Sequence, residues 1–401
     1  MSAGKTEKRG ELGVDLGEIV RRYGPGYEAT HRLSLEQRRV LRDLGRCRTA
    51  ALGGHREKCD RCGLERNHYN SCRNRHCPAC QGQKRRQWVE AERQRLLPVP
   101  YFHVIFTLPH ELNGLARANP RLIYTLLFRA ASEVLMEFGQ RNLQGQIGLT
   151  AVLHSWGQTL IQHLHLHCIV TGGAFNADRQ QWQPARNGYL FRSQAVSVVF
   201  RGRFTAYLER AWAAGKLRWV ESPVSGDAYW QGLRKQLLEK KWEVYIEPPI
   251  AGPERLVGYL GRYTQRVAIA NNRIEELKDG QVSFGWKDYR DGKQKTMRLA
   301  VEEFLERYLL HVLPPGFVRI RHYGLMANGN QKRREACRQL LPKCETVAAE
   351  HALAPADSLT AAPDSVWAHC PECQVGRMIP VARIEPAHRS PPGQPGQRWA
   401  A

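Results

Sequence analysis

The chain has 401 residues, enough for two or three domains, and its 60 Lys and Arg residues against 38 acidic residues give a formal net charge of +22. The basic residues are spread along the chain, and such a balance favours a polyanionic partner, first of all nucleic acid. No run of 18 apolar residues and no apolar signal segment is present, so the sequence predicts a cytoplasmic protein without a membrane partner. In that reducing compartment, eleven cysteines favour metal binding over disulfides.

The first segment, residues 1–97, is predicted to be a small helical and zinc-binding domain. Two Cys-x-x-Cys pairs have the spacing of small zinc modules, Cys59 with Cys62 and Cys77 with Cys80. Each pair supplies two thiolates from a tight turn, so together they predict one tetrahedral Zn²⁺ site. Other residues could exchange with these ligands or hold a second zinc: Cys47, His55, His68, Cys72 and His76. The zinc either serves folding alone or also supports contacts of the surrounding arginines with DNA phosphates.

Residues 98–275 alternate between strand and helix patterns. Apolar runs predict four strands, at 101–108, 150–156, 161–170 and 242–246, of which the second pairs with the third. Helical patterns cover about 119–142, 193–216 and 226–240, and a further helix begins near Pro253. The order predicts an α+β fold in which an antiparallel-dominated sheet carries helices on its faces.

Residues 276–345 are predicted to extend this core. The tight-turn dipeptides Asp279-Gly280 and Asp291-Gly292 separate apolar runs and predict a three-strand meander, followed by a helical stretch. Residues 346–401 are rich in Ala and Pro and are predicted to be a loose tail. The tail carries Cys370 and Cys373, half of a zinc site that Cys337, Cys344 or His369 could complete.

The strand at 161–170 carries histidines at three alternate positions, His163, His165 and His167. Alternate residues of a strand share a face, so His165 and His167 lie about 7 Å apart at Cα and can bind one ion, whereas the outer two are about 13 Å apart. Strand histidines are usually hydrogen-bonded core residues, but three buried neutral rings all need partners. We therefore predict His165 and His167 as metal ligands and expect His163 to support them or to face DNA.

A second motif places Tyr259 and Tyr263 four residues apart in a helical pattern, which puts both phenols on one helix face. Such pairs usually just pack, but two hydroxyls beside a metal predict phosphodiester chemistry through a tyrosine ester. Tyrosine has a reference pKa near 10, so attack needs a strongly polarised phosphate, which a hard divalent ion such as Mg²⁺ or Mn²⁺ provides. Arg262 and Arg266 on the same helix are predicted to bind DNA phosphates; a solvated basic face is an equal alternative.

The set and order of these motifs resemble the rolling-circle transposases of the two-tyrosine His-hydrophobic-His (HUH) class, specifically the insertion-sequence family with an N-terminal zinc-binding domain. The matching stretches span about residues 15–345 and are 47–55, 71–80, 102–109, 153–158, 165–173, 259–269 and 319–324. The chain departs from the family at Leu164, where a proline is expected.

The resemblance implies an RNA-recognition-like antiparallel sheet, the HUH endonuclease core, with flanking helices. It implies His165 and His167 as the metal pair, Tyr259 and Tyr263 as nucleophiles, and single-stranded DNA of element ends and target as the substrate. Strand transfer would pass through a 5′-phosphotyrosine and leave a free 3′-hydroxyl. The third metal ligand stays open among His103, His154 and Gln265. The first attacking tyrosine also stays open, with Tyr263 preferred because it lies deeper in the matched stretch.

Two other functions are compatible with the residues alone. A replication initiator or relaxase would use the same chemistry at a plasmid origin. A non-enzymatic zinc-dependent DNA-binding protein would keep the zinc module and the basic charge without the reaction. The zinc module and the motif order favour the transposase.

Overall fold

A computed structural model describes residues 14–186, 188–219, 226–250, 252, 256, 267–341 and 369–387. The N-terminal part contains three helices and a hairpin: α1 (Leu16–Thr30), α2 (Leu35–Arg46), β1 (Gly54–Cys59), β2 (Glu65–Tyr69) and α3 (Gln81–Arg95). Helix α2 begins at a capping box, in which Ser34 accepts from the backbone N–H of Gln37 and the Gln37 side chain accepts from the backbone N–H of Ser34.

The middle of the chain supplies most of the central sheet. Its elements are β3 (Tyr101–Thr107), α4 (Asn113–Ala118), α5 (Pro120–Leu143), β4 (Gly148–Trp156), β5 (Gln162–Thr171), β6 (Gly173–Asn176), β7 (Gln181–Pro184), α6 (Ser193–Ala213), α7 (Gly226–Glu239) and β8 (Val244–Ile246). The four strands and three helices expected here from apolar periodicity are all present.

The last part contains the predicted meander, followed by two helices and two strands among the described residues. Its elements are β9 (Ile274–Lys278), β10 (Gln281–Lys287), β11 (Gln294–Ala300), α8 (Val301–Leu309), β12 (Ile320–Gly324), α9 (Gln331–Leu340) and β13 (Met378–Ile384). Among the described helices, none is both long and apolar enough to cross a membrane.

The central sheet has five antiparallel strands in the order β12-β4-β5-β3-β8, so the histidine strand β5 occupies the middle. Because side chains alternate along a strand, the two faces of β5 differ. One face packs against the helices α5 and α6 in the main hydrophobic core and presents Leu164, Leu166, Cys168 and Val170. His165 and His167 lie on the opposite face. The departure from the family at Leu164 therefore falls on the helix side, away from the histidines. The predicted α+β class is confirmed.

The meander β9-β10-β11 and helix α8 share a hydrophobic core with the first two helices. Phe284 and Phe304 are fully buried in this core together with Leu16 and Val40. Helix α2 is strongly amphipathic, with buried residues at Val40, Leu41 and Leu44, so its apolar stripe needs a partner and finds it here. Segments about 250 residues apart in sequence thus form one unit.

The C-terminal segment corrects the expectation of a loose tail for residues 369–387. Strand β13 pairs antiparallel with β1 and completes a three-stranded sheet in the order β13-β1-β2. The apolar, β-branched sequence Met378–Ile384 suits a strand, and Pro380 is tolerated because it lies at an edge, where the register shifts. Residues 346–368 lie outside the described part of the chain.

Candidate active site and cysteine clusters

Three histidines meet on the face of the sheet opposite α5 and α6. In the antiparallel register His154 of β4 lies directly opposite His165 of β5, and His167 is two residues further along β5. One ring nitrogen from each of the three lies within 4.8 Å of the others, and the Nε2 atoms of His165 and His167 are 3.0 Å apart. All three side chains are buried. A cluster of this size can place three nitrogen ligands around one cation.

A chain of hydrogen bonds fixes how these rings point. Nδ1 of His165 donates to the carbonyl oxygen of His163 over 2.9 Å, so its Nε2 presents a lone pair to the cluster. Nδ1 of His167 lies 2.8 Å from Nε2 of His103, and Nδ1 of His103 lies 2.8 Å from a carboxylate oxygen of Glu247. Because the carboxylate accepts from His103, Nε2 of His103 accepts from His167, and Nε2 of His167 also presents a lone pair. We assign these tautomers from the hydrogen-bond network.

The electrostatics favour neutral imidazoles. Burial lowers the pKa of His165 to about 3, and the nearby His163 adds to the effect. Burial also lowers the pKa of His167 well below its usual value, with further contributions from the neighbouring histidines. At neutral pH both rings are therefore unprotonated and face each other with lone pairs, an arrangement that a shared cation stabilises.

The indole ring of Trp156 packs against the imidazole ring of His154, the third histidine of the cluster. A β-bulge interrupts the register between His154 and Trp156, and the two rings stack with centroids 4.4 Å apart. Bulges bend a strand and redirect its side chains, which here lays the indole on the imidazole. The guanidinium of Arg319 lies on the Trp156 ring, 6.0 Å from its centroid. The packing limits the rotation of His154 beside the other two rings.

The structure brings together both predicted ligands and selects among the candidates for the third. His154 joins the cluster, whereas His103 lies behind His167, between that ring and Glu247. Glu247 carried no sequence signal; it is found only through the pairing of β8 with β3, which aligns its backbone N–H with the carbonyl of His103 at 2.9 Å. His163 is exposed, and its ring centroid is 4.9 Å from that of His165.

The predicted nucleophiles and their basic neighbours lie outside the described residues, namely Tyr259, Arg262, Tyr263 and Arg266, as does the candidate ligand Gln265. Their roles stay predictions from the sequence.

The predicted pairing of the two cysteine knuckles in one site is wrong. Cys77 and Cys80 join Cys47 and Cys72, whereas Cys59 and Cys62 join Cys370 and Cys373. The β1–β2 hairpin explains the division. Its base, near Gly54 and Tyr69, lies beside the first group, and its tip carries Cys59 about 17 Å further along the strand.

The first cluster has the dimensions of a zinc site. The Sγ atom of Cys47 lies 3.3 Å from that of Cys80 and 3.6 Å from that of Cys77, and the Sγ atoms of Cys72 and Cys80 are 3.6 Å apart. Four sulfurs at the usual Zn–S distance of about 2.3 Å form a tetrahedron with edges of about 3.8 Å. The donor set and the spacing thus fit Zn²⁺.

None of the three histidines considered as further zinc ligands belongs to either group of sulfurs, whereas His55 and His68 form a separate group with Glu57 whose donor atoms lie within 4.8 Å of one another. His55 and His68 stack on each other on the β1–β2 hairpin, where Nε2 of His55 lies 2.9 Å from a carboxylate oxygen of Glu57. His76 is buried, and its Nε2 accepts from the backbone N–H of Leu313. Each ring therefore has a structural partner.

Comparison with known proteins identifies the class. One family model, described as "Transposase zinc-binding domain", matches residues 19–108, and another, described as "Putative transposase", matches residues 148–335. The first match contains the whole first cysteine cluster, and the second contains His154, His165 and His167. The class of the protein is thus a transposase with a zinc-binding domain.

Two curated relatives narrow the identification. The chain is 44% identical to the "Putative transposase y4qJ" of Sinorhizobium fredii (strain NBRC 101917 / NGR234) over 387 residues, which covers 92% of this chain and 95% of the relative. It is 26% identical over 306 residues to the transposase for insertion sequence element IS801 of Pseudomonas savastanoi pv. phaseolicola, covering 74% of this chain and 70% of that one. The chain belongs to the IS91 family of insertion-sequence transposases.

The family membership confirms the predicted transposase and the predicted zinc-binding domain, and a transposase acts on DNA. No solved structure matches the chain.

Proposed function

We propose that this transposase cleaves single-stranded DNA at the ends of its element and transfers the strand through a 5′-phosphotyrosine, with a divalent cation bound by His154, His165 and His167. The observation that carries the proposal is the 3.0 Å approach of two lone-pair-bearing Nε2 atoms in a buried three-histidine cluster. The central position of β5 in an antiparallel sheet suits an HUH nuclease core.

The donor set bears on which ion binds. Mg²⁺ prefers oxygen ligands, whereas imidazole nitrogens suit first-row transition ions, so of the two predicted ions Mn²⁺ fits this cluster better. Once bound, the ion would polarise the scissile phosphate and neutralise the charge that develops on its non-bridging oxygens.

His103 and Glu247 are proposed as positioning residues. They hold His167 in the tautomer that directs the Nε2 lone pair at the cluster, through two hydrogen bonds of 2.8 Å. Hydrogen bonds of this kind fix the orientation of a ligating ring and raise its basicity. His163 acts similarly on His165, but through its backbone carbonyl, so its side chain stays available at the surface.

The reaction itself is assigned to the tyrosines. A phenol oxygen of Tyr263, or of Tyr259, forms a bond to phosphorus while the bond from phosphorus to the 3′ oxygen breaks. The phenol proton leaves to solvent, and the 3′ oxygen takes a proton to become a hydroxyl. The ester conserves the energy of the broken bond, and a second tyrosine allows a second cleavage before the first end is released.

Covalent trapping tests the proposal. Purified protein is incubated with Mn²⁺ and labelled single-stranded DNA that contains an element end, and the adduct is resolved under denaturing conditions. The wild type is expected to form an adduct that the Tyr259→Phe/Tyr263→Phe variant does not form. Tyr189→Phe, at an exposed tyrosine, is the matched control and should keep it. An adduct that persists in the double variant would exclude these tyrosines.

A further inference from the structure

We propose that Cys59, Cys62, Cys370 and Cys373 bind a second zinc ion, which clamps the C-terminal segment onto the N-terminal zinc-binding domain. We name this group the clamp cluster. Half of it comes from residues 369–387, which lie beyond both family matches, at 19–108 and 148–335. The clamp cluster therefore adds a metal site that the zinc-binding domain does not contain by itself.

The distances within the clamp cluster are those of a tetrahedral zinc site. The Sγ atoms of Cys59 and Cys373 are 3.7 Å apart, and those of Cys62 and Cys370 are 3.5 Å apart. A zinc tetrahedron has sulfur–sulfur edges of about 3.8 Å, whereas a disulfide bond measures about 2.05 Å. Each partner of a close pair belongs to a different knuckle, as expected when two Cys-x-x-Cys turns face each other across one ion.

Backbone N–H groups around the cluster stabilise thiolates. The amides of Arg61 and Cys62 point at Sγ of Cys59, at 3.4 and 3.5 Å, and the amide of Gly376 points at Sγ of Cys373, at 3.3 Å. Hydrogen bonds to a charged sulfur favour the deprotonated form that zinc requires. The two knuckles supply these donors in similar ways.

Gly376 shows how closely the two knuckles approach. A Cβ atom at this position would lie 2.4 Å from Sγ of Cys59 and 2.8 Å from a carboxylate oxygen of Asp60. Only glycine lets the C-terminal turn pass this close to the sulfur. The same turn is fixed further by the amide of Arg377, which donates to the Asp60 carboxylate over 2.8 Å.

The apolar packing at this interface is small. The buried apolar cluster consists of Cys59, Cys370 and Met378, and β13 adds a six-residue pairing with β1. Three side chains bury too little surface to hold an independent sheet, and small modules of this size usually depend on a metal. Zinc binding is thus expected to supply most of the free energy that attaches the C-terminal segment.

Zinc content of the full chain tests the stoichiometry. The His55→Ala/His165→Ala/His167→Ala background removes both groups of histidine donors from the count, and the protein is loaded with Zn²⁺ and desalted. This background should hold two zinc ions per chain, and adding Cys370→Ser/Cys373→Ser should leave one. Cys344→Ser is the matched control and should keep two, because the clamp cluster is complete without it. One zinc in the background protein, or two in the Cys370→Ser/Cys373→Ser variant, would overturn the proposal.

A second variant tests the site with all four thiols present. Gly376→Ala should lose one zinc because its Cβ collides with the sulfur of Cys59, whereas Gly329→Ala, which has open space around the added carbon, should lose none. Retention of both zincs in Gly376→Ala would contradict the close approach of the two knuckles.

Fragment release tests the clamp itself. A site for a sequence-specific protease is inserted between residues 346 and 368, and the cut protein is passed over a sizing column. The C-terminal fragment should remain bound in the wild type and should separate in the Cys370→Ser/Cys373→Ser variant. Separation from the wild type, or retention in both, would show that zinc does not attach this segment.

Discussion

The histidine centre and the clamp cluster are assembled over very different distances in the sequence. His154, His165 and His167 come from two adjacent strands joined by a short turn, so the pairing of neighbours brings them together. The clamp cluster joins residues that are 308 positions apart. Residues of a site within one hairpin can be predicted from the alternation of side chains along a strand. The residues of a site that joins distant segments are brought together only by tertiary packing.

This difference in sequence separation explains which site residues could be predicted from the sequence alone. Alternate spacing predicted that His165 and His167 lie side by side, because a strand puts such residues on one face, and the structure places their Nε2 atoms 3.0 Å apart. The pairing of β4 with β5 was predicted and His154 was one candidate, but placing His154 opposite His165 required the register of the two strands. Glu247 required the pairing of β8 with β3, which no motif indicates.

The zinc ligands were wrongly grouped because their grouping also depends on tertiary structure. Spacing along the chain suggested that neighbouring knuckles share an ion. Cys59 and Cys62, however, lie at the tip of the β1–β2 hairpin, whereas Cys77 and Cys80 lie near its base. Most strands and helices of the middle segment were predicted from apolar periodicity. The edge strand β12 and strand β13 were not predicted, since short edge strands carry weak patterns and gain their stability from their neighbours.

The largest effect, a loss of stability, is expected when the first cysteine cluster is mutated. Replacing both Cys47 and Cys72 by Ser removes two of four zinc ligands, and structural zinc contributes roughly 10–16 kcal/mol of apparent binding free energy in small modules at neutral pH. We expect loss of one zinc per chain and a lower unfolding temperature, measured by metal analysis and calorimetry. Independence of the two clusters predicts that Cys370→Ser/Cys373→Ser leaves this zinc in place; loss of both zincs would instead show a single cooperative unit.

Removing one of the proposed histidine ligands should slow the reaction strongly and leave the zinc content unchanged. His165→Ala is expected to lower the rate of covalent adduct formation by about 1000-fold or more, equivalent to roughly 4 kcal/mol in the barrier, since the cation would lose a ligand at the reacting phosphate. The rate is measured under single-turnover conditions with Mn²⁺. The zinc content of the cysteine clusters should stay unchanged, and a rate within tenfold of the wild type would separate the histidine centre from the reaction.

A substitution on the helix-facing side of β5 should affect stability without affecting the histidine cluster on the opposite face. Leu164 is buried in the main hydrophobic core, so Leu164→Ala should cost about 2–5 kcal/mol of unfolding free energy through the cavity it leaves. Its side chain points away from the histidines, and the Mn²⁺ concentration for half-maximal adduct formation should stay within about twofold of the wild-type value. A large rise in that concentration would indicate that the faces are coupled. Denaturant unfolding supplies the stability measurement.

The smallest effect on adduct formation is expected at the residues that position His167, namely His103 and Glu247. His103→Ala removes the acceptor for Nδ1 of His167, and loss of such a supporting hydrogen bond typically lowers metal affinity by about 10–100-fold. Adduct formation should recover when Mn²⁺ is raised to saturation, which separates positioning from a direct role in the reaction. Glu247→Gln keeps an acceptor oxygen for His103 and should show a weaker defect. A defect in His103→Ala that no concentration of Mn²⁺ restores would argue against the positioning role.

Locating the bound cation tests the histidine centre most directly. Crystals of the wild type grown with Mn²⁺ are measured at a wavelength where manganese scatters anomalously. The proposed function predicts one strong anomalous peak within coordination distance of Nε2 of His165, Nε2 of His167 and a ring nitrogen of His154. A fully ordered cluster without such a peak, or manganese bound only elsewhere in the chain, would contradict it.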